Sequence, residues 1–171
     1  MGRILPYVIA TERLRLHPAT SDDARLLAHG GDGGWTWLGG APGTGTRDLA
    51  GIVERADEVG WHRPPWGLYV IVRTEDDVAV GGTGFHGPPD THGSVEVGYE
   101  LVPEARRLGY ATETLLALAG FAFTHPAVRT VTAATHPENT ASQGVLLRAG
   151  FTRQDDPNGW PDRLHRYRLD R

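Results

Sequence analysis

The sequence predicts a single α/β (α+β) domain, and three observations predict it. Stretches with strand periodicity and stretches with helical spacing interleave along the whole chain. One continuous apolar run, Leu68 to Val72, has the character of a strand buried on both faces. A length of 171 residues suits one core, and no linker or internal repeat divides it.

The elements follow in order. Arg13 to Pro18 alternates, with Leu14 and Leu16 on one side and Arg13, Arg15 and His17 on the other, which predicts a first strand. Ser21 is placed to cap a short helix carrying Leu26 and Leu27, with Asp22 and Asp23 at its positive end. Gly30 to Gly45 is a glycine-rich loop holding Trp35 and Trp37. Thr46 caps a second helix running to about Val59. Leu68 to Val72 and Val78 to Phe85 form a hairpin across the polar stretch Thr74 to Asp77. Ser94 to Val102 is a fourth strand, and Pro103 to Tyr110 a loop. Ala111 to Thr124 is a helix, with Leu115, Leu118, Ala119 and Ala122 at helical spacing. Thr130 to Thr135 is a fifth strand. Asn139 to Ala149 is a helix closed by Gly150. Leu164 to Leu169 is the last strand.

Composition excludes several function classes. Hydrophobic residues make up 39% and charged residues 22%, a globular balance. The net charge is −4, and all 17 bases are arginine, as a GC-rich genome produces. A mildly acidic balance argues against nucleic acid as the main partner, because neutralising phosphates needs a basic face. With no cysteine there is no disulfide, no thiolate metal site and no acyl-cysteine intermediate. The apolar piece Ile4 to Ala10 is short and broken by Pro6, so neither a signal peptide nor a membrane span is expected. Pro6 also stands where a myristoylation signal following Gly2 needs Ser or Thr. The default location is the cytoplasm, with a monomer or homodimer expected.

Two glycine patterns are decoys. Gly82, Gly84 and Gly87 match GxGxxG, but Pro88, Pro89 and Asp90 follow where a dinucleotide fingerprint must open a helix. Gly43-Thr44-Gly45-Thr46 has no lysine and is not a phosphate loop. The eight histidines show no HxxxH pair, so no metal is expected, and no Gly-x-Ser-x-Gly elbow is present.

Arg106-Arg107-Leu108-Gly109-Tyr110-Ala111 is different: it leaves a strand region and opens a helix. Gly109 allows backbone N–H groups to converge. The first helical turn adds unpaired N–H groups and the positive end of the dipole, a setting that binds pyrophosphate, although the segment alone reads equally as a tight turn. Thr112 can add a hydroxyl.

This loop resembles the Q/R-x-x-G-x-G/A signature of the GNAT superfamily, with Arg106, Gly109 and Ala111 in its three places. Ser94 to Pro103 resembles the family's fourth strand. His136-Pro137-Glu138-Asn139-Thr140-Ala141-Ser142, followed by Gly150-Phe151, resembles its second cofactor motif. Thr11 to Leu16 is similar to the opening strand of the RimJ/RimL branch, which acetylates protein N-termini and related amines. The similarity runs from about residue 11 onward, and Gly30 to Pro65 matches poorly.

The resemblance implies a mixed sheet of six or seven strands with four helices, splayed between the fourth and fifth strands. Acetyl-CoA is the implied cosubstrate, lying in that splay. The implied cofactor contacts are backbone near Leu101 and Val102, the loop residues Arg106, Arg107, Gly109, Tyr110, Ala111 and Thr112, and Asn139 and Ser142. A backbone N–H there would polarise the thioester carbonyl, worth ~3–4 kcal/mol. Glu96 stands where many members carry the general base, and Glu100 shares its strand parity; each also reads as a solvated edge charge. Many members place a tyrosine seven residues after the motif's asparagine to protonate the departing thiolate, but Leu146 occupies that place. Ser142 is the implied substitute, on the inward face with Val145, Leu146 and Ala149.

The implied reaction is N-acetylation of a primary amine by direct attack in a ternary complex, the acceptor being a peptide N-terminus or, alternatively, a small-molecule amine. A CoA-holding module without turnover is the reading from another class. The acceptor wall is expected from Trp35, Trp37, Trp61, His62 and Trp66, and from Trp160, Asp162 and Arg163 before the last strand, although the five tryptophans read equally as ordinary core and rim residues.

Overall fold

The computed structural model describes residues 7–155 and 161–171. The elements are β1 (Ile9–Ala10), β2 (Leu14–Pro18), α1 (Ser21–Ala28), α2 (Thr44–Glu58), β3 (Leu68–Arg73), β4 (Ala79–Phe85), β5 (Ser94–Leu101), α3 (Tyr110–Phe123), β6 (Thr130–Thr135), α4 (Thr140–Arg148), β7 (Thr152–Arg153) and β8 (His165–Asp170). They form one sheet in the order β1-β2-β3-β4-β5-β6-β8-β7. Every neighbouring pair is antiparallel except β5–β6. Two of the eight strands, β1 and β7, are additional to the six read from the sequence. Each has only two residues, too few for periodicity to register.

Local chemistry sets the element ends. The first helix is capped by Thr20 rather than Ser21: Thr20 Oγ1 accepts from Asp23 N at 3.1 Å, and Asp23 Oδ2 accepts from Thr20 N at 2.8 Å. This reciprocal capping box satisfies two otherwise orphaned donors. Helix α2 begins two residues before the expected cap, because Glu100 takes the capping role from outside the helix. Asn139 caps α4, its Oδ1 accepting from Ser142 N at 3.0 Å. The decoy glycines Gly82 and Gly84 lie inside β4, where close approach requires them. A Cβ on Gly82 would stand 2.6 Å from the Thr46 side chain of α2.

The core lies on both faces of the sheet. On β5, Val95, Val97 and Leu101 are buried together with Leu115, Leu118 and Ala119 of α3 and Leu146 of α4. The opposite face of β5 carries Glu96, Gly98 and Glu100, and Glu100 reaches α2. The α1–α2 pair and the α3–α4 pair therefore cover opposite faces.

Strand β5 has unequal neighbours. Its pairing with β4 runs from Val97 to Leu101 without interruption. Its parallel pairing with β6 covers only Ser94↔Thr130, Val95↔Val131 and Glu96↔Thr132. Beyond Glu96 the two strands part, while β6 continues along β8 as far as Thr135↔His165. The expected splay between Ser94–Val102 and Thr130–Thr135 is thus present, as the opening between β5 and β6.

Candidate active site

The splay exposes one backbone edge, and hydrogen-bond parity identifies it. His86 N–H donates to Glu96 O at 3.0 Å, and Val102 N–H donates to Val80 O at 2.9 Å. With the register unbroken between them, the even-numbered residues of β5 turn their backbone groups to β4. Val97, Tyr99 and Leu101 turn theirs toward the opening. This corrects one expected contact. Val102 has no backbone group to offer there, because its carbonyl also accepts from Ala105 N at 3.0 Å. Leu101 does face the opening, with its carbonyl holding Arg106 Nε at 3.1 Å. The Arg106 side chain thus fastens the loop to the strand.

That edge leads through a short 3-10 turn (Pro103–Ala105) into the glycine loop. Arg107 and Gly109 both have left-handed backbone, with φ of 64° and 82°. Alternating handedness of this kind turns successive N–H groups into a concave anion site. Glycine adopts that conformation freely, whereas Arg107 does so at some cost. The first i→i−4 bond of α3 is Glu113 N–H to Gly109 O at 3.1 Å, so the N–H groups of Tyr110, Ala111 and Thr112 precede the helical ladder. The Tyr110 ring is buried beneath Arg13, whose guanidinium lies 4.7 Å from the ring centroid, so its N–H rather than its hydroxyl serves the loop. Ala111 and Thr112 are half-buried.

Arg13, not singled out in the sequence, clamps this loop. Its Nη1 donates to Leu108 O at 2.9 Å, and its Nε donates to Glu113 Oε2 at 2.8 Å. Glu113 also accepts from Thr11 Oγ1 at 2.6 Å. Burial pushes the Glu113 carboxyl up; the hydrogen bonds from Thr11 and Arg13 outweigh that and hold it below the usual range. No local pattern marks a contact between residues 100 apart.

On the even face of β5, Glu96 and Glu100 separate in role despite their shared parity. Glu96 lies beside the opening, half-exposed, with His86 Nδ1 3.4 Å from its Oε1. The His86 hydrogen bond, followed by partial burial in the opposite sense, sets its carboxyl below the ordinary range, with Arg166 adding to the lowering. Gly98 makes room for the imidazole, since a Cβ there would be 2.9 Å from His86 Nε2. Glu96 also lines a cavity of about 310 Å³ with Thr132, Gln154, Arg166 and Arg168. Asp162 approaches this cavity by pairing with Arg166 at 2.5 Å. Arg163 lies in the turn between them, also with left-handed backbone. Glu100 instead accepts from Thr46 N at 2.8 Å and Thr46 Oγ1 at 3.1 Å, holding the first turn of α2. Its carboxylate occupies the space above Gly43, where a Cβ would be 2.4 Å away. Glu100 is therefore engaged as a helix anchor.

The tryptophans divide likewise. Trp37 is buried, with Nε1 donating to Asp32 O at 2.8 Å, and belongs to the core. Trp35 is half-buried against that core. Trp66 packs edge-on against Phe85 at 4.9 Å and tilted against His125 at 4.8 Å, in the aromatic cluster at the C-terminal end of α3. It is packed there rather than facing the opening. Trp61 is 74% exposed, and the His62 ring packs over Gly67. Trp160 lies outside the described residues.

On the odd face, Ser142 points inward as its spacing predicts, but it is already engaged. The hydroxyls of Ser142 and Tyr99 are 2.7 Å apart, and Tyr99 Oη lies 3.2 Å from Ser142 O. Burial, partly offset by the Ser142 hydrogen bond, raises the Tyr99 phenol above its ordinary value, so it stays protonated. Leu146 is fully buried. Tyr99 was legible as an odd-parity residue of β5, but nothing local signals its reach to α4.

Together these features form a slot. An open strand edge leads to an anion-binding loop, with a carboxylate–imidazole pair on one side and two hydroxyls on the other. A chain that combines an acyl group, an extended amide-bearing arm and a pyrophosphate matches it.

A sequence profile described as the acetyltransferase (GNAT) domain matches residues 13–152. The chain is 36% identical over 83 residues to the uncharacterized N-acetyltransferase YjdG of Bacillus subtilis (strain 168), a stretch covering 48% of this chain and 49% of that one. It thus spans about half the length of that relative. An acetyltransferase structure from Agrobacterium tumefaciens str. C58 superimposes with TM-score 0.66 at 27% identity, covering 99% of this chain and 100% of that one. RimL, a ribosomal alpha-N-protein acetyltransferase solved with coenzyme A, superimposes with TM-score 0.66 at 16% identity, covering 96% and 98%, and shares the fold. Profile, sheet opening and glycine loop agree: the chain belongs to the GNAT acetyltransferase family.

Proposed function

We propose that this protein transfers the acetyl group of acetyl-CoA to a primary amine by direct attack in a ternary complex. The observation that carries this reading is the backbone edge of β5, without a strand partner from Val97 to Leu101 and continuous with the loop Arg106 to Thr112. Acetyl-CoA supplies the activated acetyl group as a thioester. The N–H groups of the loop and of the first turn of α3 receive pyrophosphate. The N–H groups of Tyr99 and Leu101 accept an extended arm as a neighbouring strand would, and one of them polarises the acyl carbonyl.

Only a neutral amine attacks, and Glu96 with His86 removes its proton. The pair lies beside the opening on the face opposite Ser142 and Tyr99, so amine and sulfur are served from different sides. Holding both reactants in one slot supplies the remaining advantage as proximity.

The acceptor reading we favour is a peptide α-amine. Its pKa of ~8, against ~10.4 for lysine, leaves more neutral amine near pH 7. The likeness to RimL, whose name specifies alpha-N-protein acetylation, supports it. A small-molecule amine is the alternative, supported by the bounded volume of the cavity beside Glu96. Thiol release measured against N-terminal peptides and small amines tests both. Rapid turnover with peptides alone bears out the favoured acceptor. Turnover with small amines alone selects the alternative. CoA binding without thiol release toward any amine overturns the enzyme reading in favour of a CoA-holding module.

A further inference from the structure

The geometry points to Tyr99 as a positioning residue for the leaving sulfur: by donating its hydroxyl to Ser142 Oγ, it directs the Ser142 O–H into the β5–β6 opening. This rests on the acetyltransferase reading and adds a residue to which the family resemblance assigns no role.

The two hydroxyls are 2.7 Å apart, the usual distance of a good O–H···O bond, whereas the alternative acceptor, Ser142 O, is 3.2 Å from Tyr99 Oη. Ser142 N–H is already taken by Asn139 Oδ1 at 3.0 Å. Ser142 is therefore held by its backbone on one side and its oxygen on the other. If Tyr99 donates to Oγ, the serine proton must point elsewhere, and the open side is the slot. Donation from a partly buried phenol also polarises the serine hydroxyl, making it a stronger donor to developing negative charge. The tyrosine place on α4 is filled by the buried Leu146, so the phenol comes instead from the facing strand.

Tyr99 has a second connection to the same point. Its backbone N–H faces the opening by the parity of β5, while its side chain crosses to α4. One residue thus fixes an edge donor and the serine hydroxyl relative to each other. In the transfer, the C–N bond forms and the C–S bond breaks, with its electron pair going to sulfur. The amine proton leaves through Glu96 and His86. Sulfur receives the Ser142 hydrogen bond and then takes its proton from water.

The test compares wild type, Tyr99→Phe and Ser142→Ala. The non-kinetic readout is the affinity for CoA relative to desulfo-CoA, titrated by calorimetry from neutral to alkaline pH. A hydroxyl aimed at sulfur favours the thiolate, so wild type gains affinity for CoA over desulfo-CoA as pH rises. Both variants should lose that gain. Their kcat should fall about 10- to 100-fold, the range of one hydrogen bond to a charged group, with desulfo-CoA affinity unchanged. Ser142→Ala, a substitution on an accessible first turn, supplies the measurement if Tyr99→Phe folds poorly: an intact alkaline gain in Ser142→Ala overturns the proposal. It is also overturned if folded Tyr99→Phe keeps the alkaline gain and kcat, or if it weakens CoA and desulfo-CoA equally. Wild type that shows the alkaline gain but acetylates no amine leaves this placement standing and removes the acetyltransferase reading instead.

Discussion

The two faces of β5 are made from alternate residues of one strand, yet they are built on different chemistry. The even face carries Glu96 and Glu100, charged groups whose partners come from β4 and α2. The odd face is apolar except for Tyr99, whose hydroxyl reaches across the opening to α4. One face can take up a proton and the other can donate hydrogen bonds to a leaving atom, with the open backbone edge between them. A strand offers this division naturally, because successive side chains point to opposite faces. What parity does not supply is role. Glu96 and Glu100 share a face, and only one of them stands free of a helix end.

Mutations on the two faces should therefore differ in kind. Glu96→Gln removes the base and keeps the shape. Its kcat/KM should fall ~10²–10⁴-fold, most severely at low pH, where the amine is most protonated and needs the base most. An unchanged pH–rate profile would make Glu96 a structural charge. On the other face, Ser142→Ala should lower kcat by about 10- to 100-fold and leave the acid limb where it is, because a donor to the leaving sulfur acts chiefly in the transition state. Folding should remain nearly intact, as serine contributes little inside a helix. A fall in CoA affinity as large as the fall in kcat would place Ser142 in binding alone.

His86→Ala sharpens the distinction within the even face. In the proposed role Glu96 acts as the carboxylate, and His86 is the first cause of its depressed pKa. Wild type should thus keep its base form below the usual carboxylate range. Removing His86 lets the pKa rise, so the acid limb of kcat/KM should move to higher pH; no movement would show that the pair is not coupled to the reaction. Glu100→Gln is the smallest perturbation. It weakens the anchor on Thr46 and should cost ~1 kcal/mol of stability by the scale of helix caps, read from denaturant unfolding. Its kcat should stay near wild type, and a loss approaching that of Glu96→Gln would move the base to Glu100.

Much of the scaffold was legible in the sequence, because it is written in local periodicity. The six longer strands and four helices fall within a few residues of their expected bounds. The glycine loop was legible because its backbone geometry depends on one residue, Gly109, next to a helix start. What escaped was long-range. Arg13 on Glu113, Glu100 on Thr46, His86 on Glu96 and Tyr99 on Ser142 join distant parts of the chain, and no spacing rule reaches them. The tryptophans misled for a related reason. Trp37 and Trp66 were expected in an acceptor wall because the family resemblance is weak around them, but one is buried in the core and the other packs edge-on against Phe85 and tilted against His125. Aromatic content alone does not say which surface a ring faces.

In the proposed function the Arg106 to Thr112 loop seats the pyrophosphate of CoA. Gly109 is the residue to test, with a control for its backbone. Any side chain at its φ of 82° brings strain, and an added Cβ meets only the flexible end of Arg13 at 3.3 Å. Gly109→Ala therefore carries the strain without the bulk, and Gly109→Trp carries both. Calorimetric titration of CoA into the three folded proteins should show a modest weakening for Gly109→Ala and a loss of more than about 100-fold for Gly109→Trp, as expected when a bulky ring displaces an anion from backbone N–H groups. A folded Gly109→Trp protein that binds CoA as tightly as wild type would contradict the account.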